Sequence, residues 1–180
     1  GTNSMFIGNY DYETHNMCDV QNIKSPDGSV VCEKNWIPLP YNEETGTQYY
    51  IYSWHPLKIG KIVEQQLVII HTHDNDHPLL NRARGSTIFQ ETEQGLIGVV
   101  HFSDEGSPRN YYHMLVVLNP VTYKPVRHSN CFYFNEFSVE FCTGFFMKDD
   151  RYHFFISNFD RNPQLVSIEF NKINIWVTVE

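Results

Sequence analysis

Apolar residues in this chain come in short runs, not in helical stripes. Residues 48–54 read Gln-Tyr-Tyr-Ile-Tyr-Ser-Trp and residues 66–71 read Gln-Leu-Val-Ile-Ile-His. Residues 95–102, 110–118, 131–134, 138–145, 152–158 and 164–170 continue the series, each rich in β-branched and aromatic side chains. Polar breakers separate them: Pro26-Asp27-Gly28, residues 42–46, 93–95, 104–108, 148–151 and 160–163. Runs of four to eight residues recurring about every ten residues predict short antiparallel strands. No stretch carries a 3.6-residue stripe of useful length.

Three segments repeat one theme, an apolar strand, a polar turn, then another strand. Residues 95–118 show it, 138–170 show it twice, and 49–70 show it loosely. Successive antiparallel units of this kind predict β-propeller blades, each of four strands in about 40–45 residues. At that size the chain holds roughly four blades. A β-sandwich is the alternative. The expectation is one all-β, propeller-type domain over residues 1–180, with 1–5 a cloning remnant ahead of a starting Met5.

Composition agrees. The 180 residues are 41% apolar, 15% aromatic and 19% charged, and alanine occurs once, at Ala83. Such a chain folds, and it favours strands over helices. The formal net charge of −8 disfavours binding to nucleic-acid phosphates. No apolar run approaches the roughly 18 residues of a membrane-spanning helix, so no membrane association is expected. Residues 1–5 lack the features of a signal peptide. Cys18, Cys32, Cys131 and Cys142 form no CxxC pair, and no Asn-x-Ser/Thr site occurs. These features predict reduced, mostly buried thiols in a cytoplasmic protein.

Several residues could carry chemistry. Arg84-Gly85-Ser86-Thr87 sets a guanidinium beside two hydroxyls, a clamp for an anion or sugar hydroxyl; a turn arginine paired with a carboxylate is the plainer reading. His101 ends one strand and His113 opens the next, so a hairpin would bring them together. The run His71-Thr72-His73-Asp74-Asn75-Asp76-His77 has metal-ligand chemistry, but one continuous segment reads as a solvated loop rather than a metal site. Glu33, Glu140 and Asp160 are the carboxylates available for glycosidic cleavage. Glu140 and Asp160 interrupt apolar runs, where a charge needs a partner or a cavity. Trp36, Trp54, Tyr111 and Tyr112 could stack on sugar rings, although most aromatics will be core.

Read in order, Glu33-Lys34-Asn35-Trp36, Tyr52-Ser53-Trp54-His55-Pro56-Leu57-Lys58-Ile59, Arg84-Gly85-Ser86-Thr87, Gly98-Val99-Val100-His101 with Tyr111-Tyr112-His113, Phe132-Tyr133-Phe134 with Val139-Glu140-Phe141-Cys142-Thr143-Gly144, and Ile156-Ser157-Asn158-Phe159-Asp160 resemble one family. The set is similar to the five-bladed β-propeller proteins related to β-mannoside phosphorylases and hydrolases. It looks most like the branch found alone or fused to glycosyltransferases in bacteria and large DNA viruses. The resemblance runs from about Tyr10 to Phe170 and covers the family's later blades.

That resemblance implies a cleft lined by Lys34, Trp36, Arg84, His101, His113, Glu140 and Asp160. Lys34, Arg84 and His101 match positions that hold phosphate or the acceptor, and Glu140 and Asp160 match acidic positions near the sugar. It implies a glycan or sugar substrate, phosphate as a co-ligand, and no metal or other cofactor. An active enzyme of this type would invert the glycosidic centre, with two carboxylates about 6.5–9.5 Å apart. The family's acid-bearing early blades have no counterpart here. The alternative is therefore a non-catalytic carbohydrate-binding or partner module, completed by self-association or serving a glycosyltransferase domain.

Overall fold

The computed structural model describes residues 3–28, 32–74, 77–104, 106–107, 109–135, 139–173 and 176–179. The chain is all-β, as its patterning predicts. Strands β1 (Met5–Asp11) and β2 (Asn16–Ile23) form a two-stranded hairpin. Strands β3 (Ile37–Pro38), β4 (Tyr49–Trp54), β5 (Leu57–Val63) and β6 (Gln66–His73) follow as a four-stranded antiparallel sheet in chain order. A third sheet contains β7 (Arg84–Gly85), β8 (Gln90–Thr92), β9 (Gly95–Ser103), β10 (Tyr111–Leu118) and β11 (Pro125–Ser129). The fourth contains β12 (Glu140–Lys148), β13 (Arg151–Asn158) and β14 (Asn162–Glu169). Strand β15 (Trp176–Thr178) then returns to pair with β11, giving the third sheet the order β15-β11-β10-β9-β7, with β8 also on β9.

The four-stranded unit expected throughout is thus met at β3–β6. The third sheet carries two extra strands and the fourth has three. Residues 131–134, read as a strand, contribute a single bridge between Phe132 and His113. Helical structure among the described residues is limited to 3₁₀ turns at Leu80–Arg82 and Phe170–Lys172. None is long and apolar enough to cross a membrane.

The third sheet is the middle layer, and β9 records it: all nine of its residues are buried. Side chains alternate across a strand. Leu96, Val100 and Phe102 therefore face one way, with Met114, Val116 and Leu118 of β10, and pack against Ile51, Trp54, Leu57 and Ile59 of the second sheet. Ile97 and Val99 face the other way, with Leu115 and Val117, and pack against Phe145, Tyr152, Phe154 and Ile156 of the fourth sheet. A strand buried on both faces loses the alternating pattern, which is why 95–102 reads as one apolar run. A third, small cluster of Ile23, Trp36 and Leu67 holds the hairpin to the second sheet.

All four cysteines are free, but only Cys142 is buried. Cys18, Cys32 and Cys131 lie in polar or surface segments, contrary to the expectation of mostly buried thiols. The histidine-rich run is also not wholly a loop, because His71, Thr72 and His73 complete β6. Asn75 and Asp76 lie outside the described residues.

Candidate functional site

The site begins with register. Strand β7 pairs antiparallel with β9 so that Arg84 stands opposite His101 and Gly85 opposite Val100. On the other side of β9, His101 stands opposite His113 of β10. Directly opposed residues project from the same face. Arg84, His101 and His113 therefore form a row across three strands, on the face turned toward the fourth sheet. The row continues the apolar line of Ile97 and Val99 but puts imidazoles where that line reaches the sheet's end.

Gly85 lets this edge strand come close to its neighbours. A Cβ there would lie 2.4 Å from the Ile37 side chain and 2.5 Å from the Asn35 carbonyl oxygen. The absent side chain brings β7 against residues 34–37, and so brings Lys34 and Arg84 to one cleft.

Glu140 closes the far end of the row. It is the first residue of β12, it is fully buried, and its Oε1 lies 3.7 Å from Nδ1 of His113. Its oxygens accept hydrogen bonds from the backbone N–H groups of Phe134 (2.6 Å) and Asn135 (3.3 Å). His113 is likewise fully buried, and neither ring nitrogen has a hydrogen-bond partner among the described residues. Its backbone exchanges hydrogen bonds with Phe132 instead (2.7 and 2.9 Å). His101 is fixed by Ser86 Oγ at 3.0 Å from Nδ1 and by Tyr111 and Phe141 rings at 5.8 and 4.8 Å.

Burial sets the charge states. It pushes His101 down to about 4, helped by the positive charges of Arg84 and Lys34, while a hydrogen bond with the Gly85 backbone works the other way. His113 is pushed down to about 3, mostly by burial and further by His101. Burial raises Glu140 above the usual carboxylate range, and the two backbone amides resist that rise. Both imidazoles are therefore neutral near pH 7. Positive charge is confined to exposed Arg84 and Lys34 at the mouth.

Lys34 and Arg84 line a cleft of about 290 Å³ together with Asn35, Tyr52, Trp54 and Asn81. No carboxylate is among its described lining residues. Trp54 is almost wholly buried, and its Nε1 has no hydrogen-bond partner among the described residues. Tyr52 opens the Tyr52–Ile59 segment of the resemblance but is not among the residues expected to line the cleft, and Asn81 has no signal in the sequence. Tyr52 is one tyrosine in an aromatic strand, and Asn81 enters only because the 3₁₀ turn carries it there.

Of the seven residues expected to line the cleft, Lys34 and Arg84 do; His101, His113 and Glu140 are buried and outside its described lining, and Trp36 and Asp160 lie elsewhere. Trp36 is 8% exposed, inside the small core cluster beneath the hairpin. Its indole N–H donates to Glu33 at 2.9 Å, and its ring meets Tyr52 edge-on. Asp160 is exposed in the turn between β13 and β14, with a left-handed φ of 54°. It interrupts an apolar run because the chain turns there, so no cavity is needed to accommodate it. In the histidine-rich run, His73 Nε2 bonds the Thr122 carbonyl at 2.9 Å and His77 Nε2 meets His128 Nε2 at 3.2 Å. Among the described residues, no three His, Cys, Asp or Glu side chains are grouped to hold a metal ion.

The layered sheets have counterparts among solved structures. The chain superposes on a β-1,2-mannobiose phosphorylase from Listeria innocua with a TM-score of 0.57 at 14% identity. The fold is glycoside hydrolase-like. That match covers 86% of this chain and 49% of the phosphorylase. A glycosyl hydrolase from Bacteroides ovatus superposes with a TM-score of 0.56 at 8% identity, over 90% of this chain and 57% of that one. The chain thus spans about half the length of these two proteins. No protein-family model matches it. No curated protein matches it either.

Proposed function

We propose that this chain is a carbohydrate-binding domain whose Lys34–Arg84 cleft takes a saccharide together with a phosphate or other oxyanion. One observation carries the reading: the cleft brings two cations, Lys34 and Arg84, together with the half-buried Tyr52 ring, with no carboxylate among its described lining. Guanidinium and ammonium groups suit oxyanions and sugar hydroxyls, and aromatic walls suit the C–H face of a sugar ring. The mannobiose phosphorylase neighbour is consistent with this ligand pair.

Binding has more support than cleavage. Glu140 is fully buried and its oxygens are engaged by backbone amides, so a substrate would have to displace those contacts to reach it. Asp160 lies in an exposed turn. In this reading the stacked sheets are consecutive blades of a propeller, and the domain presents its cleft on behalf of a glycosyltransferase or a larger glycan-active assembly.

Calorimetric titration of the purified chain with inorganic phosphate, mannose 1-phosphate and β-1,2-mannobiose tests the proposal. The Arg84→Ala change removes a forked, charge-assisted contact of about 1.5–3 kcal/mol. Affinity for mannose 1-phosphate should fall by about tenfold or more, with little change in melting temperature because Arg84 is exposed. Equal affinity in the wild type, Arg84→Ala and Lys34→Ala would remove the cleft from consideration.

A further inference from the structure

A second cleft opens between the third and fourth sheets. Its volume is about 520 Å³, within the range of small-molecule sites. Ile97 lines it, on the same face of β9 as His101 but four residues away, about 13 Å along the strand. Fully buried Val99 and Leu115 lie between the two positions, so this opening is separate from the Lys34–Arg84 cleft.

Its wall is built from a cross-strand diagonal. Arg127 of β11 pairs with Thr178 of β15, which places Trp176 on the same side, and the guanidinium carbon lies 4.7 Å from the Trp176 ring centroid. Gln94, on the turn between β8 and β9, accepts a hydrogen bond from Arg127 Nη2. Opposite them, the buried Tyr152 ring packs on Phe170 at 4.5 Å, close enough to Arg127 for that charge to act on its hydroxyl. Thr92, Glu93 and Asn171 complete the polar part of the lining. Of the three tryptophans, Trp36 and Trp54 are buried, while Trp176 is partly exposed at this cleft.

We propose that this cleft is a second saccharide-binding site. Aromatic rings (Trp176, Tyr152, Phe170) and polar ends (Arg127, Glu93, Gln94) line it together, matching a ring with C–H faces and a rim of hydroxyls. Glu93 and Gln94 accept from hydroxyls, and the remaining guanidinium N–H groups of Arg127 donate to them. An apolar peptide seated here would leave the Glu93 carboxylate and the remaining guanidinium N–H groups of Arg127 desolvated without new acceptors or donors. A phosphate-bearing ligand would meet Glu93 and a guanidinium already engaged by Gln94. The ligand class follows from this cleft's own chemistry and does not depend on what Arg84 binds.

Two-dimensional amide NMR of the full chain decides it, with β-1,2-mannobiose, cellobiose and chitobiose as probes. At least one disaccharide should give saturable shifts at the Trp176 indole and at the Gln94 and Arg127 amides. Trp176→Ala should weaken that binding by about tenfold or more, while Trp176→Phe, which keeps an aromatic plane, should stay within a fewfold. Exposed Gln94→Ala should weaken it severalfold, and Arg84→Ala should leave it unchanged. Loss of sugar binding at the Arg84 cleft, with these shifts intact, would sink the first site and leave the second standing. No saturable shift at these three positions with any probe, or shifts that persist undiminished in Trp176→Ala, would overturn the proposal.

Discussion

Acidification should destabilise this protein, and the buried imidazole row says by how much. In an unfolded chain His101 and His113 titrate near 6.5, and folding lowers them to about 4 and about 3. A depressed histidine binds fewer protons in the native state than in the unfolded one, so stability rises with pH across that window and is lost as pH falls below about 6.5. Between pH 7 and pH 5 each residue loses about 2 kcal/mol, or roughly 4 kcal/mol together. His77 is also lowered by burial and adds to the loss. Glu140 opposes it, because a raised carboxyl gains protons on folding and favours the native state as pH falls. With a urea slope of about 2–3 kcal/mol/M, the unfolding midpoint should drop by roughly 1–2 M between pH 7 and pH 5. The paired variant His101→Gln/His113→Gln should flatten that dependence even if it is less stable throughout. The refuting result is specific. An imidazolium on His113 paired with a Glu140 carboxylate would raise the histidine, and acidification from pH 7 to pH 5 would then stabilise the protein or leave it unchanged.

Two further outcomes follow from local geometry. Gly85→Ala places a methyl group against Ile37 and the Asn35 carbonyl, an overpacking cost of about 1–3 kcal/mol that should lower the melting temperature by roughly 5 °C in a calorimetric scan. It should also weaken phosphate binding by displacing Lys34 from Arg84, and an unchanged melting curve would contradict the close approach. Glu140→Ala deprives the Phe134 and Asn135 amides of their acceptors, at about 1–3 kcal/mol for a buried donor. Thermal melting should fall by at least a few degrees, with Glu140→Gln less affected because it keeps one acceptor oxygen, and faster hydrogen exchange at the Phe134 amide should accompany the loss.

Strand identity was legible where a strand is buried on both faces or bounded by recognisable turns. Residues 95–102 and 110–118 carry β9 and β10 almost residue for residue, because continuous burial leaves a continuous apolar run. β5 was hidden in the looser 49–70 segment, since the turn that ends it is Glu64-Gln65. Both residues adopt left-handed φ values of 48° and 64° without a glycine or asparagine to announce it. The exposed hairpin was missed for the opposite reason: β2 has little buried surface to impose a pattern.

The row of Arg84, His101 and His113 was partly readable, because hairpin logic pairs the end of one strand with the start of the next. Its extension to Glu140 depends on how the third and fourth sheets stack, and no local pattern encodes that. Trp36 and Asp160 failed for complementary reasons. A tryptophan in a motif cannot be told from a core tryptophan without its neighbours, and a charge after an apolar run can mark a cavity or simply a turn. Asp160 marks the turn.

The double burial of β9 also divides the Lys34–Arg84 cleft into parts of unequal stiffness. Freeing β9 would expose the cores on both sides of the middle sheet at once, so local opening there approaches the cost of unfolding the domain. Arg84 and His101 inherit that rigidity through their pairing. Lys34 belongs to a segment anchored by the small Trp36 cluster and by contact with β7, and it can yield at far lower cost. A ligand spanning both cations would bind one wall that is already in place and draw the other toward it, spending part of its affinity on order gained at Lys34 alone.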